Sequence, residues 1–459
     1  MAVLLSGCAV GPDYERPLLS IPGRWSQAPE VRQSSVKHLE HWWTRLNDAT
    51  LNRLIDQALS NSFDVAAARA VIREARAQRE REIGSLFPEA SGSAASTRRK
   101  SAGLGSTVST THQGVLDASW EIDLFGGNRR SIEAATWGEA AAEEQLRLTL
   151  QTLVGDIIAT YVEARGAQAR LELARRTAAI QRATVDLTRT KYEAGSASEM
   201  DLAKVEATAA GTEADIPAYE ATFARAVNRI AVLLARSPGE LNDIMAKVRP
   251  IPAPGAALPK YLPAFVLEQR PDVRIAEYQL AQKTANVGRA EAARYPRVSL
   301  TGNISTSGAR LGDLGKHSTI GWALGPSLSV PIFNAGQLRA DVEAADAQRE
   351  QAEYSFRATV LSALEEVENA FVDLAKDRER YARLKFARDS QRKAADMART
   401  LYQEGSISLL EMLDAERSLY SAEASLVQAR MDVTADYVTL AKALGGGFET
   451  AGEGVRPNP

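Results

Sequence analysis

The sequence predicts a mainly α chain with a β-barrel part, built from two copies of one unit in which a β-hairpin precedes a long helical hairpin. Three observations predict it. Anchors recur at a fixed distance: Asp64 and Asp272, Phe87-Pro88 and Tyr295-Pro296, and Phe125 and Phe333 all lie 208 residues apart, while Tyr192 to Gly195 and Tyr402 to Gly405 lie 210 apart. Proline is absent from Ser131 to Tyr192. There Leu146, Leu150, Leu153, Ile157, Tyr161, Ala164, Ala167, Leu171 and Ala174 recur at a mean spacing of 3.5, the period of helices packed along a seam. Ahead of each long run the period drops to two, the alternation of a strand with one apolar face.

At the N-terminus, Leu5-Ser6-Gly7-Cys8 resembles the lipobox of bacterial lipoproteins, in which small residues admit a peptidase and the thiol accepts the acyl group. A covalent lipid on Cys8 is expected, and two or three acyl chains anchor firmly. Only seven residues precede Cys8 and none is Lys or Arg, less than a whole signal peptide needs. A lone cysteine buried for packing is the alternative. Gly11-Pro12-Asp13-Tyr14-Glu15-Arg16-Pro17 and the prolines up to Pro29 have no period, so residues 1–48 read as lipobox and extended strap. Leu51, Leu54, Ile55, Ala58 and Leu59 then start an amphipathic helix.

The first repeat spans 49–240, with a β-hairpin at about 90–124 and a long helical hairpin at about 128–235; a linker covers 241–257. The second repeat spans 258–446, with its β-hairpin at about 297–333 and helical hairpin at about 337–444; residues 447–459 read as a flexible tail. Sixty-two helical residues reach about 93 Å, longer than an ordinary globular domain. Each rod ends at a glycine, Gly195 or Gly405, before a second helix returns. Alanine-rich stretches such as Ala140-Ala141-Ala142 allow close approach of neighbouring helices.

In the strand segments, Leu116, Ala118, Trp120, Ile122 and Leu124 alternate with Asp117, Ser119, Glu121 and Asp123. Trp322, Leu324, Pro326, Leu328 and Val330 alternate with small residues, and Val298, Leu300 and Ile304 with polar ones. Ala90 to Lys100 is mostly Ser and Ala, a weaker signal. About ten residues suit a tilted membrane strand. Four strands cannot close a barrel, whereas three copies would supply twelve and leave no open edge. A soluble four-stranded sheet with one wet face fits the periodicity equally well.

Charge and composition exclude several classes. With 55 Lys and Arg against 58 Asp and Glu the net charge is −3, which argues against a nucleic-acid partner. One cysteine leaves no intrachain disulfide and no cysteine zinc site. His38, His41, His112 and His317 are scattered without metal spacing, and Gly312 to His317 lacks the first glycine and the final Ser or Thr of a phosphate loop. No nucleophile elbow occurs. The expected class is not an enzyme.

Taken together, the lipobox with Gly11-Pro12-Asp13-Tyr14 and Arg16-Pro17, Arg270-Pro271-Asp272-Val273 with Ala276-Glu277, Val330 to Gly336, and the duplication itself resemble the outer-membrane efflux proteins. These are the TolC-like and OprM-like exit ducts, here in the NodT-like lipoprotein branch. The resemblance implies a homotrimer. Its helical hairpins would form an α-barrel across the periplasm and its strands a 12-stranded transmembrane β-barrel in the outer membrane. It also implies a periplasmic adaptor and an inner-membrane pump as partners, with outer-membrane lipids around the barrel.

The same resemblance places the adaptor contacts at the hairpin tips, at Tyr192, Gly195, Leu202, Gly405 and Leu409, and a periplasmic constriction at Asp201, Tyr402, Glu411 and Asp414. Ile407 and Ser408 stand where the family often has a basic residue, so a gate here would use other partners. Leu202 and Leu409-Leu410 fit adaptor contact and hairpin core equally. The expected function is the exit duct of a tripartite pump. A type I secretion duct and a soluble periplasmic coiled-coil scaffold are the alternatives.

Overall fold

The computed structural model describes residues 9–26, 39, 41–102, 107–255 and 263–447. The expected lipid site at Cys8, His38 and the tail after Gly447 lie outside them. In chain order the elements are α1 (Ala49–Asn61), α2 (Phe63–Gly84), β1 (Glu89–Lys100), β2 (Val108–Ile122), α3 (Gly127–Glu193) and α4 (Glu199–Leu233). There follow α5 (Asn242–Ala246), α6 (Pro263–Gln269), α7 (Pro271–Ala292), β3 (Arg297–Gly308), β4 (Ile320–Ser329), α8 (Gln337–Gln403) and α9 (Leu409–Ala443). The segment expected as a plain linker thus carries one short helix, α5.

The duplication extends to element lengths. α2 and α7 have 22 residues each, β1 and β3 have 12, α3 and α8 have 67, and α4 and α9 have 35. A 67-residue helix is about 100 Å long. Gly126 and Gly336, both with positive φ, cap the two rods at the same position. The shift in offset from 208 to 210 therefore falls between Phe333 and Gly336, just before the second rod.

The four strands form one antiparallel sheet in the order β1-β2-β3-β4. Register aligns the apolar residues across it: Leu116 lies opposite Ile304 and Ile304 opposite Trp322, while Trp120 faces Leu300 and Ile122 faces Val298. Asp117, Ser119, Ser299, Asn303 and Ser327 share the other face. No residue of any strand is buried, so neither face is covered by a helix. β1 and β4 present open edges.

The largest core lies between the sheet and the tips. Trp42, Trp43, Leu51, Ile55, Ile157, Ile158, Tyr161, Ile230, Met245 and Tyr437 are fully or almost fully buried there, drawing on both repeats. Asp48 caps α1 by accepting from the Thr50 and Leu51 amides, and its other oxygen accepts from the Tyr161 hydroxyl at 2.7 Å. Among the described residues no helix is long and apolar enough to cross a membrane.

Candidate functional site: helical tips and strap

Both rods end in the same turn. At the first tip the Ser196 amide donates to the Lys191 carbonyl and the Gly195 amide to Tyr192; at the second, Ser406 donates to Leu401 and Gly405 to Tyr402. This double bond needs a left-handed residue, and Gly195 (φ 73°) and Gly405 (φ 76°) supply it. Each return helix then starts with a capping box. Ser198 Oγ accepts from the Asp201 amide at 3.1 Å and the Asp201 carboxylate accepts from the Ser198 amide and hydroxyl; Ser408 and Glu411 do the same.

These bonds hold the Asp201 and Glu411 carboxyls below the usual carboxylate range, because hydrogen bonds from Ser198 and Ser408 favour the charged form. Two of the carboxylates expected at a constriction are therefore fixed to their own caps and held charged, Asp201 half-buried and Glu411 exposed. Asp414 is exposed one turn further on. The Ser-x-x-Asp and Ser-x-x-Glu spacing at 198–201 and 408–411 is the sequence signal of such caps.

Leu202 and Leu409 both pack into the tip cores, Leu409 touching the clusters around Val185 and Val205 and around Tyr402 and Met412. Leu410 projects into solvent instead. Tyr402 is buried and its ring lies under the Lys191 ammonium at 4.2 Å, a cation–π contact joining the two repeats at the tip. Its counterpart Tyr192 is 41% exposed. Higher up, the Tyr420 hydroxyl donates to Asp215 and Glu423 accepts from both Arg176 and Arg392, so the two hairpins are tied side by side.

At the other end, the strap follows the groove between α3 and α7. Val10 donates to the Phe125 carbonyl, and buried Arg130 donates to the carbonyls of Val10 and Gly11 and to Asp13 at 2.7 Å. Tyr14 and Arg16 both reach Glu277. A Cβ on Gly11 would stand 2.4 Å from the Gly288 backbone, so glycine is required where strap and helix cross. These contacts explain the Gly11 to Arg16 motif, and they set Ala9 against Gly126, just beyond the end of β2.

With this geometry in view, a family model described as outer membrane efflux protein matches residues 54–236 and 262–446, one match to each repeat. The chain belongs to the outer membrane efflux protein family. It is 33% identical to Nodulation protein T of Rhizobium leguminosarum bv. trifolii over 97% of this chain and 96% of that one. It is 30% identical to the outer membrane protein OprJ of Pseudomonas aeruginosa, covering 98% and 95%. Its fold superposes on the outer-membrane channel OprN with a TM-score of 0.88 at 36% identity, over 96% of this chain and 99% of that one.

This outer membrane efflux protein thus has a TolC-like fold, with its sheet in the outer membrane and its helices extending into the periplasm. Family membership sets aside the soluble scaffold. Among the described residues no group of three or more His, Cys, Asp or Glu side chains is placed to hold a metal ion.

Sequence reasoning missed one titrating group. Asp436 on α9 is pushed up to about 7, first by burial and then by Asp377, Asp373 and Asp432. A raised carboxyl pKa means that the folded chain favours the protonated form. The stabilisation is full below the unfolded value of 3.8 and is lost as pH rises through about 7. Asp436→Asn is expected to raise the thermal midpoint at pH 8 and leave it nearly unchanged at pH 4. Equal shifts at both values would show that Asp436 does not titrate in this range.

Proposed function

We propose that three copies of this chain form the exit duct of a tripartite efflux system, passing exported small molecules from an inner-membrane pump and periplasmic adaptor across the outer membrane. The observation that carries it is a sheet with one apolar face, two open edges and no helix on either side, joined to rods of about 100 Å. Twelve strands close the barrel with Leu116, Ile304, Trp322 and Leu324 facing lipid and the Ser and Asn face lining the lumen. The rods bridge the periplasm.

The tips carry the partner contacts in this reading. Tyr192, Gly195 and Gly405 meet the adaptor, with Leu202 and Leu409 holding the turns in shape from within. Around a threefold axis, Asp414 and the capped Asp201 and Glu411 ring the periplasmic entrance with negative charge, and the Lys191 contact holds Tyr402 beside them. The chain conducts and performs no chemistry. Cys8 carries the lipid: its neighbour Ala9 lies at the base of the sheet, where acyl chains reach the inner leaflet of the outer membrane.

The test separates inner and outer membranes from cells expressing the gene from its upstream start, beside a Cys8→Ser variant. Expected are an unheated trimer in the outer membrane, acyl mass on the peptide containing Cys8, and loss of that mass in the variant. Monomer in the soluble fraction would overturn the duct, and an unmodified Cys8 would overturn the anchor alone.

A further inference from the structure

Charge is segregated along the length of the sheet. The long helices join it at Glu89, Ile122, Arg297 and Ser329, so these ends face the periplasm, and the turns after Lys100 and Gly308 lie at the outer surface. Glu89, Asp117, Glu121 and Asp123 place acids towards the periplasmic side. From Ala90 to Leu116 there is no Asp or Glu, and from Val298 to Ala340 there is only Asp313, whose carboxylate accepts from Lys316 Nζ at 2.6 Å. Arg98, Arg99 and Lys100, which end β1, are exposed, and among the described residues none of them has a side-chain hydrogen bond or ion pair.

Strand alternation divides these cations between the two faces. A Cβ on Gly92 would lie 3.2 Å from Leu116 Cδ2, so even-numbered residues of β1 share the apolar face; Arg98 and Lys100 belong to it and Arg99 to the other. The unbroken apolar band ends at Ile320, whose row runs through Thr306 and Gly114 to Ala94. Arg98 stands four residues further out, about 13 Å along the strand. Two cations thus flank the lipid side of the sheet just outside its hydrocarbon band, where the head groups of the outer leaflet lie.

Resting on the barrel reading, we propose that Arg98 and Lys100 bind phosphate on the phosphorylated glycolipid of the outer leaflet, the lipid A part of lipopolysaccharide. Their Cα atoms are about 7 Å apart on one face, so both long side chains reach one phosphate group. The guanidinium fork takes two of its oxygens and the ammonium adds a point charge. About 20 Å back along β1 on the same face, Gly92 and Ala118 lie among Leu116, Ile304 and Trp322 in a shallow groove of about 550 Å³, which receives an acyl chain of the same lipid. A soluble anion passing through the lumen would meet Arg99 instead.

The test titrates the full chain, purified as trimer in neutral detergent, with lipid A carrying its phosphates and with dephosphorylated lipid A. Arg98→Gln with Lys100→Gln should weaken binding of the phosphorylated form about 30-fold, and each single variant about 5-fold, should the double variant fail to assemble. Arg99→Gln should bind as the parent does. The parent should bind dephosphorylated lipid A as weakly as the double variant binds the intact form. Unchanged affinity in the Arg98 and Lys100 variants, an equal loss in Arg99→Gln, or no preference for the phosphates would overturn the site. Tighter binding of phosphatidylglycerol than of lipid A would overturn the choice of glycolipid. Absence of a heat-resistant trimer in the parent would overturn the barrel reading itself, whereas a parent trimer that ignores lipid A overturns this site alone.

Discussion

Arg165→Leu is expected to destabilise the folded chain by about 3–5 kcal/mol, the scale of breaking a buried polar network. Arg165 is fully buried, and its Nη1 donates to Gln168 Oε1 at 2.6 Å and to the carbonyls of Met245 and Lys247 at 3.2 and 2.9 Å. Its guanidinium also lies 4.8 Å from the Tyr161 ring centre. The two carbonyls belong to α5 and the residue after it, so this one side chain holds the segment between the repeats against α3. Leucine fills much of the volume but takes the Arg165 donor from Gln168 Oε1 and the Lys247 carbonyl, each worth about 1–3 kcal/mol and partly offset by its own burial, while the Met245 carbonyl still accepts from Gln168 Nε2 at 2.9 Å. Loss of helical circular dichroism on heating in detergent should come several degrees lower. Gln168→Ala, which removes one acceptor of Arg165 and one donor to the Met245 carbonyl but leaves Arg165 on both carbonyls, should shift it less. An unchanged midpoint for Arg165→Leu would show that the segment is held by other contacts.

Leu324→Arg is expected to abolish barrel assembly, while Ala323→Arg, one residue away, should leave assembly intact. Leu324 lies on the apolar face beside Gly302, near the middle of the band that runs from Val298 to Ile320. An arginine facing the bilayer midplane costs about 2–4 kcal/mol per strand, and a trimer bears it three times. Ala323 faces the opposite side of the sheet, opposite Asn303, where a charge stays in water. The measurement is heat-resistant trimer in the outer-membrane fraction for each variant. Assembly of Leu324→Arg together with failure of Ala323→Arg would reverse the two faces, and equal effects would remove the distinction between them.

Most of the architecture was legible because it is periodic. A proline-free run with apolar spacing of 3.5 can be little other than a long helix, and the twofold recurrence of Tyr192 to Gly195 at Tyr402 to Gly405 marks the two turns at once. β1 was harder to see. Its residues are mostly Ser, Ala and Gly, so successive positions differ little in polarity even though the strand pairs with β2 along its whole length. The tips were legible as turns but not in detail: nothing in the composition tells that Leu409 packs inward while Leu410 points out, because the two differ in helical phase and not in chemistry. The Asp201 and Glu411 caps could have been found from the serine three residues earlier in each case.

The sequence by itself determined the two-copy plan, the helical rods, the four strands and the polarity of their faces, since each follows from local period and from similarity at a fixed offset. Only the tertiary structure decided how the copies share their surfaces. Seating of the strap between α3 and α7, the burial of Arg165 against α5, the raised Asp436 and the exposure of Phe333, Phe87, Leu361 and Val232 all depend on contacts between residues 60 to 300 positions apart or on faces that no contact covers. Such contacts are set by packing of whole elements against one another, and a local pattern along the chain carries no record of them.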